Sequence, residues 1–223
     1  MIYTCTYLSP LGNILLASDE IGLTGLWFEG QKYFANTLPD ERISQETEIL
    51  TEAKKWLDVY FSGENPAFTP PLHPVGSTFR QTVWQILSEI PYGQTVTYGE
   101  IAGKIAEKEN ISRMSAQAVG GAVGHNKISI IIPCHRVVGT NGSLTGYAGG
   151  IDKKISLLEL EHADMSRLFV PKKELHCKKI LTYKRPFTIM KESERTFTKR
   201  RAYEKQKRRN FACFAAFVCT KWI

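Results

Sequence analysis

Ile130-Ile131-Ile132-Pro133-Cys134-His135-Arg136-Val137-Val138 is the stretch on which the fold turns. A run of β-branched residues predicts a buried strand. Pro133 lacks the N–H needed for a sheet ladder and predicts the strand's end. A cysteine follows at once, then a histidine and an arginine. A thiol at the mouth of a buried strand, beside two side chains that can carry positive charge, predicts a lowered thiol pKa and a nucleophile. The same nine residues also suit a small buried core cysteine with a surface His-Arg pair, since free cysteine is often buried. Taken alone, they leave both readings open.

The 223 residues suit one large domain or two small ones, and a hydrophobic fraction of 43% is ordinary for a globular chain that builds its own core. No apolar run approaches the roughly 20 residues of a membrane span. The first residues lack a basic region followed by an apolar signal core, so a cytoplasmic location is expected. The five cysteines are odd in number and show no pairing pattern, which predicts free thiols. The net charge of +7 misleads, because it is unevenly distributed. Residues 1–171 carry 13 Lys and Arg against 18 Asp and Glu, whereas residues 172–223 carry 16 against 4. An argument for nucleic-acid binding from overall basicity would therefore concern the C-terminal segment alone.

Upstream of the opening stretch, residues 2–7, 13–18 and 23–29 read as three short strands joined by turns at 9–12 and 19–22. Residues 46–62 place Ile49, Ala53, Trp56, Leu57 and Tyr60 on one helical face, and Gly63 stops that helix. Nothing in this part carries a catalytic pattern. Four prolines and a glycine over 66–76 mark a connection. Thr78-Phe-Arg-Gln81 has capping-box spacing and opens a helix that ends at Pro91-Tyr92-Gly93. A second capping box, Thr97 to Glu100, starts a helix running to about Lys108, and Ser115 caps a third from Ala116 to about Gly124. The last two, with a polar turn between them, predict a helix-turn-helix. The third helix is Ala116-Gln-Ala-Val-Gly-Gly-Ala-Val-Gly124. Each interior glycine costs it about 1 kcal/mol relative to alanine. Small residues at that density suit close packing against another helix or against a nucleic-acid groove. Downstream, 139–142 form a turn, 144–150 a small-residue loop around Tyr147, and 151–162 an amphipathic helix with Ile151, Ile155, Leu157 and Leu158 inward. By itself Glu161 near its end reads as a solvated residue.

Pro133-Cys134-His135-Arg136-Val137, preceded by 118–122 and Asn126 and followed by Tyr147-Ala148-Gly149-Gly150, resembles the O6-alkylguanine-DNA alkyltransferases, the methylated-DNA–protein-cysteine S-methyltransferases. The resemblance covers about residues 1–165 and is strongest over 78–161. It implies an α+β protein. Residues 1–75 would be a small α/β, ribonuclease-H-like subdomain. Residues 76–168 would be a mostly α, DNA-binding methyltransferase domain with the helix-turn-helix, and 169–223 a basic, unstructured tail. It implies repair of double-stranded DNA in a single, irreversible turnover: the Cys134 thiolate takes the alkyl group from O6 of guanine, and from O4 of thymine, and guanine leaves. It casts His135 as a base acting through water, Glu161 as the residue that orients it, Asn126 as a residue fixing the site, and Tyr98 as the proton source for the leaving base. This is the nucleophile–base–orienter logic of hydrolytic triads. A flipped base in the minor groove would meet Gln117, Ala118, Gly120, Gly121, Arg136, Tyr147, Ala148 and Gly149. Arg136 carries two expectations, a tie between loops first and a phosphate contact second. No cofactor and no metal are implied, Cys5 and His73 lacking companions for a zinc site, and a monomer is expected.

This chain departs from the family pattern in three places. Gln117 stands where an arginine is common, Lys127 where a proline is common, and Ala148 where some members carry serine. Residues 172–223 do not match the family. They read as an unselected extension in preference to a DNA tether built on Lys199-Arg200-Arg201 and Lys207-Arg208-Arg209. Two competing functions are a lesion binder that accepts no alkyl group, against which Cys134 argues, and a papain-like protease, whose distant His and Asn signatures are absent.

Overall fold

The structure, a computed structural model, describes residues 1–171. Of the tail expected over 169–223, Phe169 forms a single-residue bridge with Ser143, and the expectations from residue 172 onward lie outside the described residues. β1 (Tyr3–Ser9) and β2 (Gly12–Ser18) form an antiparallel hairpin, and β3 (Leu23–Phe28) pairs antiparallel with β2. A two-residue β4 (Ile43–Ser44), which no periodicity announces, pairs parallel with β1 and completes the order β3-β2-β1-β4. Ile14 and Leu16 of β2 and Leu23, Leu26 and Phe28 of β3 are fully buried. They face α1 (Glu48–Phe61), whose N-cap is Thr47 and whose buried stripe is Leu50, Ala53, Trp56, Leu57 and Tyr60. Gly63, at φ +91°, ends that helix as expected.

β3 is also where the two halves of the chain meet. Leu23 N–H donates to Pro71 O and His73 N–H to Leu23 O, while Leu26 N–H donates to Lys127 O and Ser129 N–H to Leu26 O. Single-residue bridges to Leu72 and Ile128 thus continue the sheet along the outer edge of β3. The second half holds α2 (Thr78–Ser88), β5 (Val96–Thr97), α3 (Tyr98–Lys108), α4 (Ala116–Gly124), β6 (Val137–Val138) and α5 (Ile151–Leu160). α3 carries the reciprocal Thr97–Glu100 capping box, and Ser115 caps α4, both as read from the sequence. The cap of α2 differs: Ser77, not Thr78, accepts from the Arg80 N–H. One continuous core runs from Ile14 and Leu57 through Trp84 and Ile101 to Val123 and Ile132.

The strand expected over 130–132 is absent. Residues 129–132 are buried but turn, and Ile130 sits at φ +71°. The cause is local. The Asn126 amide donates to Ile128 O (3.3 Å) and Ile132 O (2.8 Å), while its oxygen accepts from Ile128 N–H (3.0 Å). With those groups satisfied by one side chain, the segment coils tightly after the single bridge to β3. The apolar run is explained by burial alone. A β-branched residue in the left-handed region costs about 1–3 kcal/mol, the sort of strain that packed surroundings must hold in place. The segment delivers Cys134 at the start of a single 3₁₀ turn, Cys134–Arg136.

Candidate active site

Cys134 and His135 lie in that 3₁₀ turn, which β6 and its parallel partner β5 anchor from one side. Cys134 is 6% exposed, and its Sγ accepts from the Asn126 amide at 3.1 Å. Burial pushes the thiol pKa up; the Asn126 amide, then the Lys154 charge and the Cys134 and His135 N–H groups, work against it without reversing it. The sequence expectation of a lowered thiol pKa is therefore corrected. The cationic neighbour Arg136 faces a different partner, and desolvation wins. A thiol of this kind needs a base.

His135 is fully buried, and its Nε2 is 2.7 Å from Oε1 of Glu161. Burial works to raise the Glu161 carboxyl, but the His135 hydrogen bond and the Arg136 guanidinium hold it well below the usual carboxylate range. Glu161 is thus ionised and can only accept, so Nε2 carries the ring proton. Burial also lowers the His135 pKa, keeping the ring neutral. Its other nitrogen, Nδ1, is then a bare acceptor, and no protein group bonds it. A neutral imidazole with one nitrogen locked and the other open is the form a general base requires.

Glu161, the C-cap of α5, is 2% exposed and not the solvated residue its position alone suggested. Its oxygens accept from five donors: Oε1 from His135, from Tyr60 OH at 2.6 Å and from Arg136 Nη2 at 3.0 Å, and Oε2 from Arg136 Nε at 2.8 Å and Gly93 N–H at 3.2 Å. Arg136 also donates to Ile90 O and lies over the Tyr92 ring. It is buried, so of its two expected roles the geometry carries the tie between elements. Two members of this region went unread in the sequence. Tyr60 passed as one aromatic among the apolar stripe of α1, and its hydroxyl gave no periodic signal. Lys154 is fully buried and donates to Val137 O and Thr145 O, holding the 145–149 loop to β6. Its place three residues after Ile151 put it on the inward stripe of α5, and that signal was available.

Apart from Arg136, the predicted contact residues fall on α4 and on the loop before α5. Gln117, Ala118 and Gly121 are exposed, while Val119, Ala122 and Val123 of the same helix are buried. Trp84 Nε1 donates to Ala122 O at 3.0 Å, fixing α4 to α2. Gly120 lies against the Tyr98 ring, where an added Cβ would meet ring carbons at 3.8 Å. Tyr98 OH donates to Thr145 O at 3.3 Å. At Gly146, with φ +71°, an added Cβ would come to 2.9 Å of that hydroxyl. Tyr147 is buried, with its ring edge-on to His135 at 6.4 Å. An added Cβ at Gly149 would come to 2.7 Å of the Tyr147 ring, so the loop is built around the two tyrosines. Ala148 O accepts from Lys32 N–H of the N-terminal half at 3.0 Å. Cys5 and His73, weighed as metal ligands, lie apart from this array, and His73 Nδ1 pairs with Asp19. Among the described residues, no helix is long and apolar enough to cross a membrane.

A capped helix pair with a small-residue outer face thus stands ahead of a buried cysteine whose neighbour His135 is paired with Glu161. Known proteins place the chain more closely. Residues 2–74 match the family described as 6-O-methylguanine DNA methyltransferase, ribonuclease-like domain, and residues 78–163 match the DNA binding domain of the same family. The methylated-DNA–protein-cysteine methyltransferase of Methanosarcina acetivorans is 47% identical over 161 residues, 72% of this chain and 98% of its own length. That of Haemophilus influenzae is 42% identical over 161 residues, covering 72% and 86%. Among solved structures, Mycobacterium tuberculosis OGT in complex with DNA aligns with a TM-score of 0.63 and 42% identity, covering 74% of this chain and 94% of that one. The chain belongs to the 6-O-methylguanine DNA methyltransferase family.

Proposed function

We propose that the protein repairs double-stranded DNA by moving the alkyl group of O6-alkylguanine onto Sγ of Cys134, each molecule acting once. The observation that carries this reading is the Cys134–Asn126–His135–Glu161 arrangement: a thiol that burial keeps protonated, beside a neutral imidazole whose far nitrogen is locked on a carboxylate. His135 Nδ1 takes the thiol proton through a water molecule. Sγ attacks the saturated carbon, the S–C bond forms as the C–O6 bond breaks, and the electron pair leaves with guanine. Tyr98 supplies a proton to the leaving base. The thioether has no route back to thiol, so turnover stops at one. O4-alkylthymine presents the same bond and is a second substrate.

The base reaches the thiol by rotating out of the stack, which costs a few kcal/mol. α4 enters the minor groove with Ala118, Gly120 and Gly121 against the sugar-phosphate walls. Gln117 hydrogen-bonds the cytosine left behind, without the charge of an arginine. Tyr147, Ala148 and Gly149 wall the pocket of the flipped base. Residues 76–168 carry all of these contacts, residues 1–75 buttress them, and the protein works as a monomer. The test is mass spectrometry after incubation with duplex DNA holding one O6-methylguanine. The expected result is one methyl per molecule, on the Cys134 peptide, with Cys134→Ser inert. Binding without a gain in mass would instead identify a lesion binder, and repeated turnover would refute the mechanism.

A further inference from the structure

Tyr60 reaches the centre of the site from α1, in the half of the chain where sequence reading found nothing catalytic. Its hydroxyl donates to Oε1 of Glu161 at 2.6 Å and lies 3.5 Å from His135 Nε2. Oε1 is the same oxygen that accepts the His135 proton at 2.7 Å. The ring is completely buried, stacked on Trp56 at 5.2 Å and edge-on to Tyr92 at 6.1 Å and Phe61 at 5.4 Å. Packing therefore fixes the ring, and the hydroxyl is the one polar atom α1 sends into the array. A packing role alone would be met by phenylalanine.

We propose that Tyr60 is a positioning residue that sets the basicity of His135 by sharing Oε1 of Glu161. This rests on the reading of His135 as the base in alkyl transfer. The physical reason is competition at one atom. A carboxylate oxygen that already accepts from a phenol, an imidazole and a guanidinium offers less electron density to any one of them. With the phenol bond present, Glu161 stabilises the His135 imidazolium less than it otherwise would. The base then gives up its proton more readily. Tyr60 itself stays a donor, since burial, reinforced by the Glu161 charge, pushes its own pKa well above the ordinary value. The other groups that bear on the couple are Arg136 in the 3₁₀ turn, Lys154 on α5, Cys134, Tyr92 and Tyr147. Arg136 also reaches Oε1, through Nη2, and spans both oxygens.

The experiment is the pH profile of single-turnover methyl transfer from O6-methylguanine duplex, with the full chain as wild type and as Tyr60→Phe. The apparent pKa of the rising limb should move up by roughly one pH unit, the size of one charge-assisted hydrogen bond. The DNA concentration that half-saturates the rate should stay the same. A second variant with 3,5-difluorotyrosine at position 60 makes the hydroxyl a stronger donor and keeps the ring, and it should move the limb down. Profiles that superimpose on the wild type overturn the proposal. So does a uniform slowing with unchanged apparent pKa, which is what loosened packing alone would give. Failure of the parent reading looks different: the wild type itself would then leave Cys134 unmethylated.

Discussion

The outer face of α4 and the array around Glu161 are built by opposite means. On α4, Ala118 and Gly121 are exposed, Gly120 is half-buried, and Gln117 is the single long polar side chain among the contact residues. Around Glu161, five donors converge on two buried oxygens. On the function proposed above, one surface is made by leaving atoms out so that a duplex can come close. The other is made by filling every lone pair, so that one imidazole keeps one tautomer. Stability and function pull together in the array, where each hydrogen bond serves both. On α4 they pull apart, because glycine weakens the helix whose face it clears.

The sharpest way to break this contrast is Glu161→Gln. The change removes the charge that compensates buried Arg136 and disrupts the partner of His135 in one step. Breaking a buried pair from one side costs about 3–5 kcal/mol, to be read by urea unfolding, and transfer to Cys134 should fall with it. The same pair sets the acid response. Glu161 and His135 both have folded pKa values below their ordinary values of 4.5 and 6.5. Each therefore contributes stability that is present above its unfolded value and lost as pH falls below it. Wild-type stability should decline from about pH 6.5, where His135 begins to resist charging, and more steeply below about 4.5. The Gln variant should lack the steeper phase. Equal stability of the two proteins at pH 7 would mean that the array is not the strong region it is taken for.

Asn126→Ala tests a smaller part of the array. Its amide and carbonyl satisfy Ile128 O, Ile128 N–H and Ile132 O and touch Cys134 Sγ. Buried groups left unsatisfied cost roughly 1–3 kcal/mol. The strained turn at Ile130 should loosen as well, and thiol alkylation by a small reagent across pH should show the Cys134 pKa rising further. An unchanged titration would show that the amide positions backbone alone.

These two regions also differ in how far the sequence revealed them. α4 was legible down to its cap, because Ser115 and the small-residue run act locally. Cys134, His135 and Glu161 were singled out through the Pro-Cys-His-Arg-Val resemblance, and the fold pairs His135 with Glu161. Tyr60 was not, since the 101 residues that separate it from Glu161 carry no pattern linking them, and only the tertiary fold brings them together. The 130–132 segment misled for a related reason. A β-branched run reports burial, and the side chain that turns it, Asn126, sits four residues upstream. The lowered pKa expected of Cys134 did not follow because burial dominates, His135 is itself neutral, and the Arg136 charge faces Glu161.

The smallest expected effect is the most pointed test of the opposition on α4. Nothing lies within 4 Å of a Cβ placed on Gly121, and its backbone is helical. Gly121→Ala should therefore stabilise the free protein by up to about 1 kcal/mol, a rise of about 2–4 °C in Tm for a chain of this size. A methyl is small enough for the groove, so methyl transfer should continue. Gly121→Glu brings length and negative charge to the same spot without touching the core. Its Tm should stay near that of the wild type while duplex DNA binding, measured by fluorescence anisotropy, weakens by tenfold or more, about 1.4 kcal/mol. If the glutamate variant binds duplex as well as the wild type, α4 does not face DNA through Gly121. If the alanine variant is destabilised, the glycine answers to the fold and not to the duplex.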